Sequence, residues 1–293
     1  MARAGQRVGF FERISRGWKM TKLGMAVVRA DPELMVYTFL SAVFSIFASI
    51  AVISGSFGLE VLTDSESASA QEEDVVIAAH LGIIFIGYLT ISIITVFWNA
   101  AIIASSYERL TAGTNPSFSY GIGQAMKCLP QIVIWGIISG TVGVILSILE
   151  GIANDSKNPL AIVAWLAAII IGAVWWMATF FIVPFIVLEK SGVMEGFTES
   201  PKLFKETWGE DVATHVGTGL LQLLVILLIV LICFPLIYFG NVGLILAILI
   251  GLAGVGLSVL FFTTVESVNR ASLFYYAKTG EAPPMAEKLG LEF

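Results

Sequence analysis

Long apolar runs alternate along the chain with shorter polar intervals. Six runs of eighteen or more apolar residues stand out, at about 35–58, 75–105, 130–149, 160–188, 216–239 and 242–265. A helix rises 1.5 Å per residue, so about 20 apolar residues cross the hydrocarbon of a bilayer. None of the six has Lys, Arg, Asp or Glu in its middle. The pattern predicts an all-α fold, a polytopic membrane helical bundle of six transmembrane helices. Residues 1–34 form a segment before it, residues 35–265 the six spans, and residues 266–293 a helical extension and tail.

The polar intervals alternate in length, with short ones at 150–159 and at the tight turn Gly240-Asn241. This spacing predicts three helical hairpins, each preceded by a longer segment on the opposite side. Short echoes suggest a repeat. Gly9-Phe10-Phe11-Glu12 matches Gly196-Phe197-Thr198-Glu199. Tyr107-Glu108-Arg109 leads to Gly113 and Pro116 as Tyr276-Ala277-Lys278 leads to Gly280 and Pro283. In each pair the Gly can end a helix in left-handed geometry, and the Pro prevents its resumption. Spans two and six are expected to run on as helices beyond the bilayer, with Glu266 and Arg270 paired four residues apart.

Two amphipathic segments precede hairpins one and three. Phe11, Ile14, Trp18, Met25 and Val28 share a stripe, with Arg13, Arg16, Lys19 and Lys22 largely off it. Arg13, Arg16, Trp18, Lys19 and Lys22 are the expected contacts with anionic headgroups, in a helix lying in the membrane plane. Packing of this helix on the bundle itself is compatible with that placement. Asp31-Pro32 reads as the cap and first turn of span one. Phe197, Phe204 and Trp208 share a face near Lys202, Lys205 and Glu206, with Pro201 as the expected start of that helix.

Charge adds an orientation. Fifteen of the sixteen Lys and Arg fall on one side of the six runs, and Lys157 alone falls on the other. By the positive-inside rule both termini are cytoplasmic. The net charge of −6 then divides into about −7 outside and +1 inside. The first run is read as a retained helix rather than a cleaved signal peptide, because no small-residue cleavage site follows it. Residues 63–74 are small, polar and acidic, and read as an outer loop. A Ca²⁺ site at Glu72–Asp74 would lack the spacing of an EF-hand.

Small-residue stripes mark the expected helix contacts: Gly136, Gly140 and Gly143 in span three, and Gly243, Ala247 and Gly251 in span six. They are expected to pack within the chain. Asn99, Trp176, Pro184, Gln222 and Pro235 are the deep polar, aromatic or helix-breaking positions, and so the candidates for a pore or hinge. The plainer reading makes the two prolines fixed bends, Asn99 and Gln222 interhelical partners, and Trp176 part of an interior contact.

Catalytic and ligand-binding signatures are missing. There is no HExxH, Walker A, nucleophile elbow or Cys-x-x-Cys motif. His80 and His215 fall at opposite ends of the bundle, and Cys128 and Cys233 on different helices. Asn154-Asp155-Ser156 is a glycosylation sequon beside the membrane. No ionisable residue lies deep in a span, which disfavours ion-coupled transport. No cofactor or metal is expected, and the acidic balance argues against a nucleic-acid partner.

Several runs together carry a resemblance: 10–18 (Phe-Phe-Glu-Arg-Ile-Ser-Arg-Gly-Trp), Asp31-Pro32-Glu33-Leu34, 183–189 (Val-Pro-Phe-Ile-Val-Leu-Glu), Trp208-Gly209, and 271–277 before Gly280. The chain resembles a family of six-span prokaryotic membrane proteins catalogued as a domain of unknown function. It is distantly similar to the membrane domain attached to some glycerophosphodiester phosphodiesterases. The resemblance implies a bacterial or archaeal plasma membrane. It carries no phosphodiesterase activity, because no such catalytic domain accompanies the spans.

The expectation is a non-enzymatic integral membrane protein with a structural or interaction role, with membrane lipids as partners and self-association of the bundle. The alternative is a passive channel or transporter for a neutral or lipid-like solute.

Overall fold

A computed structural model describes residues 10–63, 70–154 and 159–291. The described residues form ten α-helices and one 3-10 segment, with no strand among them. Five stretches are long and apolar enough to cross a membrane: Leu34–Val61, Val75–Ala112, Leu129–Asn154, Ala161–Leu188 and Val193–Thr279. The chain is a multi-pass membrane protein on this composition. Most of the acidic stretch 63–74, the sequon's Asp155 and Ser156, Lys157, Arg3, Arg7 and Gly9 lie outside the residues or side chains described.

Helix α1 (Phe10–Ala30) precedes a pair of long helices, α2 (Leu34–Thr63) and α3 (Ala70–Ala112). A short helix α4 (Phe118–Lys127) leads into α5 (Leu129–Asn154), α6 (Ala161–Thr179) and α7 (Ile182–Leu188). Helix α8 (Val193–Cys233) passes through the 3-10 segment Phe234–Phe239 into α9 (Gly240–Thr279), and α10 (Pro284–Lys288) closes the described chain. α2 packs on α3, α5 on α6, and α8 on α9, while α3 also touches α4, α5, α7, α9 and α10.

Several local features follow from single residues. Gly113 (φ 71°) and Gly280 (φ 75°) end α3 and α9 in left-handed geometry, as their sequence positions predict. α3 and α9 run on to Ala112 and Thr279, well past their apolar stretches. Other expectations are corrected. The fourth apolar run is not one bent helix: α6 stops at Thr179 and α7 restarts at Ile182, with Pro184 in its first turn. Proline has no N–H to offer the carbonyl four residues back, which here is Phe180, so the ladder opens there. Pro235 sits at the start of the 3-10 segment and ends α8 rather than bending it. Pro201 lies inside α8 and does not begin it, so the amphipathic segment and the fifth apolar run are one helix of 41 residues.

The core sits at one end of the bundle. Tyr37, Ile103, Leu110, Ile132, Phe181, Ile186 and Leu273 are fully buried there, where α1, α4, α7 and the ends of α3 and α9 converge. Tyr37 donates its hydroxyl to the Phe118 carbonyl at 2.7 Å and stacks on the Phe118 ring. Towards the other end the long helices and the 3-10 segment present Ile46, Ile53, Ile162, Leu231, Tyr238 and Phe239 outward. Hydrocarbon solvates such side chains as well as a protein core does, so nothing there drives further burial.

Candidate functional site

The most polar buried region is the seam where α1 lies against α8 and α9. Small residues make the close approach. A Cβ on Gly17 would meet the Glu210 carbonyl and the Ala213 side chain at 2.7 Å, and one on Gly24 would overlap the Asn269 amide. On α8, Gly209 makes room for Arg13 and Gly217 for the Trp18 ring. With the backbones this near, threonines can bond across them. Thr21 donates to the Thr214 carbonyl at 3.3 Å, and Thr214 to the Gly17 carbonyl at 3.0 Å. Asn269 donates from Nδ2 to Thr218 Oγ1 at 3.1 Å.

Charged side chains close the seam. Arg13 donates to the Glu206 carbonyl at 3.0 Å and pairs with Glu210 at 3.5 Å. Arg16 donates to the Tyr276 hydroxyl at 2.7 Å and pairs with Glu12 at 2.8 Å. On α9, Arg270 pairs with Glu266 at 3.3 Å, the bond its four-residue spacing predicts, and lies over the Phe180 ring. His215 Nδ1 stands 3.1 Å from the same Glu266 carboxylate.

Two acids on α8 are almost wholly inside. Between Val193 and His215 this helix carries seven Asp, Glu and Lys residues, so this part lies outside the fifth apolar run at 216–239 and before the membrane crossing. Burial pushes the Glu210 carboxyl above its ordinary range, against the pull of Arg13 and Arg16. Burial pushes the Asp211 carboxyl up much further; the hydroxyl of Thr207, donated at 2.9 Å, opposes it only in part. A cavity of about 10 Å³ lies beside Asp211, lined also by Thr218, Glu266, Asn269 and Arg270. A larger cavity of about 660 Å³ lies by the C-terminal segment, lined by Arg16, Tyr276, Glu281 and Glu287 among others. No group of three His, Cys, Asp or Glu able to hold a metal occurs among the described residues.

The residues singled out in the sequence are distributed as follows. Of the five expected headgroup contacts, Arg13 and Arg16 are engaged within the protein, a use their spacing does not reveal. Trp18 lies across Gly217 and is 39% exposed, Lys19 is half-buried and Lys22 is exposed. Of the apolar stripe on α1, Phe11 and Ile14 point outward while Val28 is buried, so the face that docks on α8 and α9 is Gly17, Met20, Thr21, Gly24 and Val27 instead. Gly136 and Gly140 pack against Ile93 and Leu89 of α3, but Gly143 faces open space. Gly243 meets the 3-10 segment, Ala247 is buried, and a Cβ on Gly251 would stand 3.8 Å from Cys233 Sγ.

Trp176 packs edge-on to Phe180 and Phe204 and beside His215, so it borders the seam. Asn99 is half-buried on α3 with a buried Oδ1 that lacks a partner, and Gln222 is half-buried on α8. Neither of these two, nor Trp176, lines the small cavity beside Asp211. Pro184 is buried in α7, and Pro235 is exposed at the far end. Asp211, Thr214, Thr218 and Asn269 escaped the sequence reading. The signal was present: Thr207, Asp211, Thr214 and Thr218 recur at helical spacing along one face of α8.

The chain belongs to a family described as a family of unknown function, DUF6159, whose model matches residues 78–283. The matched stretch holds the α8 and α9 sides of the seam, and α1 lies before it. No curated protein matches the chain.

Proposed function

We propose that this protein is a non-enzymatic, six-span integral membrane protein that holds a basic helix at the cytoplasmic headgroups and serves a structural or interaction role there. Five apolar stretches become six crossings because the last contains both α8 and α9, joined at Gly240 with φ 72°. The alternating lengths of the polar intervals support three hairpins, and the distribution of Lys and Arg supports cytoplasmic termini. The membrane is the plasma membrane of a bacterium or archaeon, in line with the sequence resemblance.

One observation carries the lipid-facing role. α1 is sewn to α8 and α9 by one face, and its other side turns Phe11, 85% exposed, together with Ile14 and Lys22 outward. Lys19 and Lys22 form no ion pair among the described residues, so their charges are free to meet anionic lipid. The full chain with a fluorophore at Lys22→Cys, in a background without Cys128 and Cys233, tests this in nanodiscs. Anionic lipid should shift the emission to the blue relative to neutral lipid, and Lys19→Glu should reduce the shift. Equal spectra in both lipids reject the headgroup role. Self-association is read from the particle mass in detergent, where a strict monomer excludes it.

The second reading, a passive conduit for a neutral or lipid-like solute, draws on the bare Oδ1 of Asn99. Proteoliposomes separate the two readings. A solute-selective flux that Asn99→Ala or Trp176→Ala abolishes establishes the conduit, and flux at the level of protein-free vesicles supports the structural role.

A further inference from the structure

Asp211 is completely buried, and only one of its carboxyl oxygens has a partner. Thr207 donates to Oδ2, while Oδ1 meets no donor. The cavity beside it is about 10 Å³, the room of a single water molecule. Two further lining residues carry unpartnered buried atoms: Asn269 Oδ1, an acceptor on a side chain 2% exposed, and Arg270 Nε, a donor. One water has two protons for such acceptors and a lone pair for such a donor.

Charge decides what else the cavity holds. From α1, Arg13 is taken up by Glu210, and Arg16 by Glu12 and Tyr276. On α8 itself, Glu210 precedes Asp211 and His215 follows one turn on. From α9, Arg270 is paired with Glu266, and the α6–α7 junction contributes the uncharged ring of Phe180. No Lys, Arg or His forms an ion pair with Asp211 among the described residues. A carboxylate buried without an ion partner is strongly disfavoured, and a proton removes that cost.

We propose that Asp211 is a proton-binding site, with its acid proton and one bound water held in this chamber and exchanging with solution past His215 and Glu266. His215 and Glu266 form the partly exposed lip, with side chains 47% and 35% accessible, and Asp211 and Asn269 form the buried floor. Uptake adds one proton to Oδ1 and removes one negative charge from beneath α1. Infrared difference spectra of the full chain in lipid bilayers, titrated from acid to alkaline pH, test the site. The carbonyl stretch of a protonated carboxyl should be present at neutral pH, shift in heavy water, vanish in Asp211→Asn and survive in Glu210→Gln. A band untouched by Asp211→Asn overturns the proposal. So does a band that sodium replaces at constant pH, which makes the chamber a cation site. Should Asp211→Asn fail to fold, Thr207→Ala carries the test. It removes the donor that favours the charged form, so the band should persist to higher pH, and an unmoved titration overturns the proposal.

Discussion

The backbone of Gly24 on α1 lies so close to the Asn269 side chain on α9 that a single added methyl would overlap the amide oxygen. Asn269 is held in place by its bond to Thr218, so it cannot swing aside without leaving another buried polar group bare. Gly24→Ala should therefore loosen α1 from the seam. Overpacking of this kind costs about 1–3 kcal/mol. Thermal unfolding in detergent should show a clear loss of Tm. Gly219→Ala, on the open side of α8, meets nothing within 4 Å and should leave Tm unchanged or raise it slightly.

Gly136 and Gly143 look alike in the sequence but differ in space. A Cβ on Gly136 would stand 2.8 Å from the Ile93 Cα, which is backbone and cannot yield, whereas Gly143 meets nothing within 4 Å. Gly136→Ala should separate α5 from α3 and weaken the nearby bond of 2.9 Å between Ser92 and Ser139. Gly143→Ala should be neutral. Equal effects of the two substitutions on unfolding would contradict the packing described.

Asp31 gives a pH dependence. It is buried in the turn between α1 and α2, and burial raises its carboxyl above the ordinary range although Arg109 pulls it down. An acid with a raised folded value binds its proton more tightly in the native state. Its contribution is therefore full below the unfolded value and declines as pH rises from there through the folded value. Tm measured across the acid range should fall more in the native protein than in Asp31→Asn. The same slope in both would show that Asp31 is not the group responsible.

Orientation is accessible to labelling, though not through the native thiols. Cys128 is buried and its thiol faces the Ile186 carbonyl, so it is shielded from reagents on either side. Asn115 and Gly151 are exposed at opposite ends of the bundle. In a background lacking both cysteines, a membrane-impermeant maleimide added to intact cells should label Gly151→Cys and spare Asn115→Cys. The reverse pattern inverts the proposed topology.

Apolar length and helix-ending residues determine the elements from the sequence alone. The positions of the long helices, the left-handed stops at Gly113 and Gly280, and the Glu266–Arg270 pair depend on spacings of a few residues. Such local relationships are complete within the chain's own order. Two of the proline corrections mark the limit of this reading. Pro184 and Pro235 both remove a backbone donor, but whether a helix bends, breaks or ends depends on what receives the freed carbonyl. The same limit applies to Arg13 and Arg16, which look like free headgroup contacts until Glu210 and Tyr276 arrive from about 200 and 260 residues away. Only the tertiary structure brings Gly17 and Gly24 against α8 and α9, and only that contact turns Asp211 from a residue on a charged helix into a buried acid. Local geometry is encoded in neighbouring residues. The burial of a charge is a property of the helices that close over it.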